Sequence, residues 1–151
     1  MKDNYSLAVG CIVRRGDKVL LVRHTYGGAA GQLLIPGGYC NEGELPEETA
    51  PREVREETHV IAKVDAMLGI RCGRHNWYAL MLMDYVEGEP RSDENENSEV
   101  LFMNVNEVLE REDVTHMTKV ALRDMLSKDR KCLYPDEEYR SVRGNDYSLY
   151  I

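Results

Sequence analysis

Apolar residues fall into short runs, separated by polar segments rich in turn formers. Ser6 to Arg14 is rich in Leu, Val and Ile and stops at the turn Arg15-Gly16-Asp17, and Lys18 to His24 follows with Val19-Leu20-Leu21-Val22. Two such runs across a tight turn predict a hairpin. Tyr26 to Gly31, with three glycines and two alanines, reads as a loop. Leu33-Leu34-Ile35 is a short buried strand cut off by Pro36-Gly37-Gly38. From Leu45 or Pro46 to Thr58 the spacing predicts a helix, with Pro46 suited to its first turn and Pro51 awkward further in, since it removes a helical hydrogen bond. Ile61 to Arg71 and Trp77 to Val86 are apolar strands around the polar turn Gly73-Arg74-His75-Asn76. Glu87 to Asn97 is a polar loop, Glu99 to Val105 a strand, and His116 to Lys128 alternates at helical spacing. Strands with two helices predict an α+β domain, layered as α/β/α.

With 151 residues the chain is read as one domain, 1–151, because two cores would leave each short of apolar material. Residues 131–151 form a tail that carries Tyr134, Tyr139, Tyr147 and Tyr150. It is expected to pack on the domain or on a second subunit, which leaves a homodimer open. The net charge of -8 disfavours a long nucleic-acid footprint, which needs clustered Lys and Arg. A small phosphorylated ligand remains compatible with it if divalent cations neutralise the site. Cys11, Cys40, Cys72 and Cys132 form no Cys-x-x-Cys pair, so free thiols in a reducing compartment are expected. The start of the chain shows no basic and apolar leader, and no run is long enough to cross a bilayer. A cytoplasmic location without membrane contact is the expectation.

The segment Gly38 to Val60 carries the chemistry. Glu53, Glu56 and Glu57 stand at i, i+3 and i+4, so on a helix they share one face and repel one another. Solvent relieves that repulsion on an ordinary acidic surface, and on this spacing alone that is the favoured reading. A divalent cation, which takes hard carboxylate oxygens, relieves it in a metal site. The neighbours favour the second reading. Arg52 is spaced to pair with Glu56, Glu44 lies where it can reach Arg52 or the metal site, and Gly37 and Gly38 let the backbone approach a ligand. Such a set suits metal-assisted phosphate hydrolysis, with one carboxylate taking a proton.

This segment resembles the Nudix box, G-x5-E-x7-R-E-U-x-E-E-x-G-U with U a bulky aliphatic residue. Gly38, Glu44, Arg52, Glu53, Val54, Glu56, Glu57 and Val60 match eight of its nine defined positions, and His59 replaces the remaining glycine. The resemblance implies a mixed β-sheet sandwiched between helices over about residues 5–130. It implies hydrolysis of a phosphoanhydride bond in a nucleoside diphosphate linked to another moiety, such as a nucleoside triphosphate or a dinucleoside polyphosphate. It implies Mg²⁺ or Mn²⁺ held by Gly38, Glu53, Glu56, Glu57 and a glutamate of a later loop. That last is Glu96, six residues before Phe102, with Glu99 as runner-up. Glu53, Glu56, Arg52 and Glu44 make up the catalytic set. The alternative is a nucleotide-sensing Nudix module with little catalysis, motivated by His59 and Pro51 beside the metal helix.

Other candidates carry less. Arg23, at the end of the second strand, is a candidate for substrate phosphate or base. Tyr78 is a candidate for stacking and lies eighteen residues beyond the box, as in some dinucleoside-polyphosphate-cleaving relatives. An aromatic at the start of an apolar strand is more often core. Asp93-x-Asn95-x-Asn97 begins like a calcium loop but lacks its glycine and its closing glutamate, so it is rejected.

Overall fold

β1 (Ser6–Arg15) is buried without interruption from Ala8 to Val13. A strand with no polar face must be covered on both sides. The structure, a computed structural model that describes residues 5–142 and 147–151, shows how. Val9, Cys11 and Val13 point to one face with Leu20, Met81 and Met83, where Ala50 and Val54 of α1 (Pro46–Thr58) pack on them. Ile12 points to the other with Leu21 and Leu82, under α2 (Val105–Glu110) and α3 (His116–Leu126). The sheet is therefore sandwiched between helices, with one core on each side.

β1 pairs in parallel with β6 (Asn76–Glu87) from Ser6↔Asn76 to Arg14↔Asp84, and β6 pairs antiparallel with β5 (Ile61–Cys72). The expected hairpin with β2 (Lys18–His24) exists only at its tip, where Arg14↔Val19 and Arg15↔Lys18 pair. Beyond it the strands part. β2 runs antiparallel to β7 (Asn97–Asn104) and meets β3 (Leu33–Leu34), while β1 receives β4 (Gly37–Tyr39).

Two elements correct the pattern reading. The described residues form three α-helices rather than the expected two, because α2 starts at Val105, where the sequence pattern predicts the end of a strand. The Asn104 side chain caps it by accepting the Asn106 N–H at 3.0 Å. Gly37 to Tyr39, read as a break, is the strand that brings Gly38 against β1, and glycines carry no apolar signal by which to find it.

The tail lies against β5, since Met67 and Leu133 exchange backbone hydrogen bonds of 2.8 and 3.0 Å, and Tyr134 exchanges two with Ile151. Residues 143–146 of the tail, and the lead-in 1–4, lie outside the described residues. All four cysteines are free thiols. Among the described residues no helix is long and apolar enough to cross a membrane.

Candidate active site

α1 begins with Pro46, whose fixed φ suits the first turn, and the Glu48 carboxylate reaches back to accept the Leu45 N–H at 2.9 Å. The helix runs through Pro51 to Thr58 and closes on His59, a left-handed residue with φ 61° whose N–H donates to the Arg55 carbonyl. His59 thus adopts the conformation the family's glycine would supply, at a strain of about 1 kcal/mol. The stripe Ala50, Val54 and Thr58 is buried, and Glu57, one turn from Val54, goes down with it to 5% exposure. Glu53 is half-buried, while the Glu56 side chain stays 55% exposed. The three glutamates share an arc, but each meets a different amount of water.

Arg52 organises one side of this arc. Its Nε and Nη2 grip Glu44 at 2.7 and 2.8 Å, and its Nη1 reaches Glu53 at 2.8 Å and Glu56 at 3.1 Å. Glu44 also accepts from the Asn41 N–H and the Thr49 hydroxyl. With Arg52 as the main cause, these partners hold the Glu44 carboxyl down at about 2. The expected Arg52–Glu56 pair is present, yet the two-pronged grip on Glu44 is the tighter one.

The other side has no such cation. Among the described residues the Glu57 carboxylate accepts a single hydrogen bond, from the Gly37 N–H at 3.3 Å. Burial lifts its carboxyl to about 8, the Gly37 bond opposes this, and the charges of Glu53, Glu96 and Asp93 reinforce it. Burial also raises Glu53, with Arg52 pulling the other way. Gly38 faces Glu53 directly, and a Cβ at that position would fall on the Glu53 carboxyl group. Only glycine leaves this space open.

Glu96 arrives on a loop with its own anchors. The Asp93 carboxylate accepts the N–H groups of Asn95, Glu96 and Asn97 at 2.9–3.1 Å, and the Thr25 hydroxyl donates to the carbonyls of Asn95 and Glu96. The buried Asn97 side chain donates to the Glu57 carbonyl at 2.9 Å, tying this loop to α1. The segment that begins like a calcium loop is a turn capped by a carboxylate.

A cleft of about 480 Å³ opens between these elements. Gly38, Glu53, Glu96 and Tyr78 line it, so it gathers four of the residues singled out in the sequence. Glu57 stands behind Gly37, and Glu44 and Arg52 brace the helix. Arg23 does not line the cleft: its guanidinium is held by Glu99 at 2.7 Å, Asp113 at 3.0 Å and the Gly31 carbonyl. The same pairing engages Glu99. Trp77 is 43% exposed and packs edge-on against Tyr5.

Sequence reasoning missed His24 and Tyr26, which stack at 5.3 Å on the cleft wall, and Arg71, which lines it from β5. It also missed Asn97. The Glu96 resemblance and the Asp93-x-Asn95-x-Asn97 pattern both pointed at that loop, but neither singled out the Asn97 side chain.

Among the described residues no three His, Cys, Asp or Glu side chains converge as a ready-made cation shell. The donor types nonetheless fit a hard divalent ion: Glu53, Glu57 and Glu96 offer oxygen alone, and the open space at Gly38 lies beside one of them.

The comparisons agree with this layout. The NUDIX domain model matches residues 4–124. An ADP-ribose pyrophosphatase of Methanocaldococcus jannaschii is 37% identical over 65 residues, which are 43% of this chain and 38% of that protein. The chain spans well under half the length of the curated relatives it matches. A NUDIX hydrolase from Nitrosomonas europaea superposes with a TM-score of 0.75 at 22% identity, over 93% of this chain and 99% of that one. An ADP-ribose pyrophosphatase from Streptococcus suis gives a TM-score of 0.64 at 19% identity, over 83% of this chain and 96% of that one. A family model that spans most of the chain, a matching fold and the carboxylate helix in its place converge on one assignment: the chain belongs to the NUDIX family.

Proposed function

We propose that this protein is a Mg²⁺- or Mn²⁺-dependent pyrophosphohydrolase that cleaves a phosphoanhydride bond in a nucleoside diphosphate linked to another moiety. The observation that carries the reading is the pair Glu53 and Glu57, a half-buried and a buried carboxylate on one face of α1, against Gly38 and Gly37, with Arg52 compensating only the first. Ionising two neighbouring carboxylates away from bulk water is unfavourable, as the raised proton affinity of both reflects, and a cation that joins them offsets the penalty. A similarity to an ADP-ribose pyrophosphatase supports a linked diphosphate as substrate class.

Gly38, Glu53, Glu56, Glu57 and Glu96 would hold the metal, which when bound polarises the phosphoanhydride and acidifies a water. Arg52 aims Glu53 and Glu56 through its Nη1, and Glu44 in turn fixes Arg52 from two directions. Glu53 borders the cleft, where a half-buried carboxylate with a raised proton affinity suits taking up the proton of an attacking water. The stacked His24 and Tyr26 offer apolar faces to a base or sugar, whereas the Tyr78 ring, taken up between Gly10 and Arg71, builds the cleft floor. The sensing alternative is less well supported, since His59 keeps the helix end intact and every box carboxylate is in place.

The test is turnover with Mg²⁺ or Mn²⁺ on nucleoside triphosphates, dinucleoside polyphosphates, ADP-ribose and nucleotide sugars. Release of phosphate or a nucleoside monophosphate from at least one is expected. Silence of the folded protein on all of them, with nucleotide binding still detected by calorimetry, would move the reading to a sensing module.

A further inference from the structure

The floor of the cleft is one cross-strand row. Arg71 of β5 stands opposite Tyr78 of β6, Tyr78 beside Ala8 of β1, and Ala8 opposite Tyr39 of β4. Gly10, two residues along β1, has no side chain, and the Tyr78 ring lies over it, where any Cβ would collide with the ring. Arg71 rests on that ring with its guanidinium carbon 4.7 Å from the centroid, and its Nη1 lies 3.3 Å from the Met117 sulfur of α3. The guanidinium is thus placed by a ring and a thioether, partners that hold its plane and leave its charge uncompensated. Among the described residues no carboxylate pairs with it, and it is the sole Lys or Arg among those lining the cleft. Glu53 and Glu96 line the same cleft, and Glu53 lies against Gly38, next to Tyr39 at the far end of the row.

At ordinary strand spacing the guanidinium, reaching back over β6, is about 10 Å from the Gly38 end. A diphosphate held at Gly38 is too short to reach it, whereas a group on the attached moiety is not. We propose that Arg71 determines specificity by binding a further phosphate carried on the moiety attached to the diphosphate. This deepens the hydrolase reading and rests on it.

The experiment compares pairs that differ by one remote phosphate, NADP⁺ with NAD⁺ and coenzyme A with dephospho-coenzyme A, on wild type, Arg71→Gln and Arg71→Lys. The wild type should favour the phosphorylated member of at least one pair by about tenfold or more, through KM rather than kcat. Arg71→Gln should erase that preference while changing the other member by no more than about twofold, and Arg71→Lys should restore part of it as a point charge. No preference in the wild type, or an equal loss on both members in Arg71→Gln, overturns the assignment. Calorimetric binding of the same four compounds without added divalent ion must follow the same order, and equal affinities overturn it whether or not turnover is seen. Wild-type silence on all four, with binding still ordered by the remote phosphate, counts against the hydrolase reading and leaves the Arg71 assignment standing.

Discussion

Glu44 and Glu57 belong to one short segment, yet their surroundings drive them in opposite directions. Arg52 closes on Glu44 with two nitrogens and holds it ionised down to about 2. Glu57 is buried with one weak backbone partner and is lifted to about 8. The difference sorts the two under the proposed hydrolase reading. A carboxylate whose charge is already answered is a brace, whereas one buried with its charge unanswered is prepared for something the protein itself does not supply. The ion pairs of Arg14 with Asp65 and Asp84, at 3.0 and 2.8 Å, are of the first kind and lie away from the cleft.

The comparison is broken most directly at Glu57. Glu57→Gln keeps the volume and removes the charge, so activity should fall by about a hundredfold or more while the fold persists. Melting temperature without metal, measured above about pH 8 where the buried Glu57 carboxyl is ionised, should hold or rise, because that unanswered charge has gone. A mutant that turns over within about threefold of wild type would place the metal elsewhere.

A smaller loss is expected at the brace. Arg52→Ala should lower activity by about tenfold and reduce thermal stability without metal, since Glu44, Glu53 and Glu56 all lose their cation. Saturating Mg²⁺ should recover part of the stability and little of the activity. Arg55→Ala, on the exposed side of α1, should leave both unchanged. A larger activity loss in Arg55→Ala than in Arg52→Ala would reverse their roles.

The smallest effect is on acid stability. Glu44 titrates near 2 in the folded protein and near 4.5 when unfolded, so within that window the unfolded chain binds the extra proton. Its contribution is present above about 4.5 and lost as pH falls towards 2. Denaturation curves from pH 6 to 2 should therefore be flatter in Glu44→Gln than in wild type. Parallel curves would mean that the Arg52 grip adds nothing to stability.

What was legible in the sequence was what depends on local spacing. Glu53, Glu56 and Glu57 share a helical face because 3.6 residues make a turn, and Arg52 reaches Glu56 for the same reason. The Glu96 loop was found by resemblance to the family, since a loop glutamate has no periodicity of its own. Arg71 was out of reach because β5 shifts register between Val64 and Ala66 and between Met67 and Gly69. Counting alternate residues across such bulges assigns the wrong face. α2, with six residues, is too short for its period to stand out from the end of a strand. Arg23 had the right chemistry for phosphate, but Glu99 and Asp113 come from segments whose approach only the fold reveals.

The bond from Asn97 to the Glu57 carbonyl spans forty residues of chain. It joins a helix that can form locally to a loop that arrives only when β7 has docked along β2. Contacts between such distant segments close late, because the entropy of ordering the intervening chain opposes them. With that contact open, the α1 glutamates would face water, where like charges repel only weakly. The carboxylate set is complete only in a molecule where that long-range contact has closed, so a chain able to form α1 alone lacks the site.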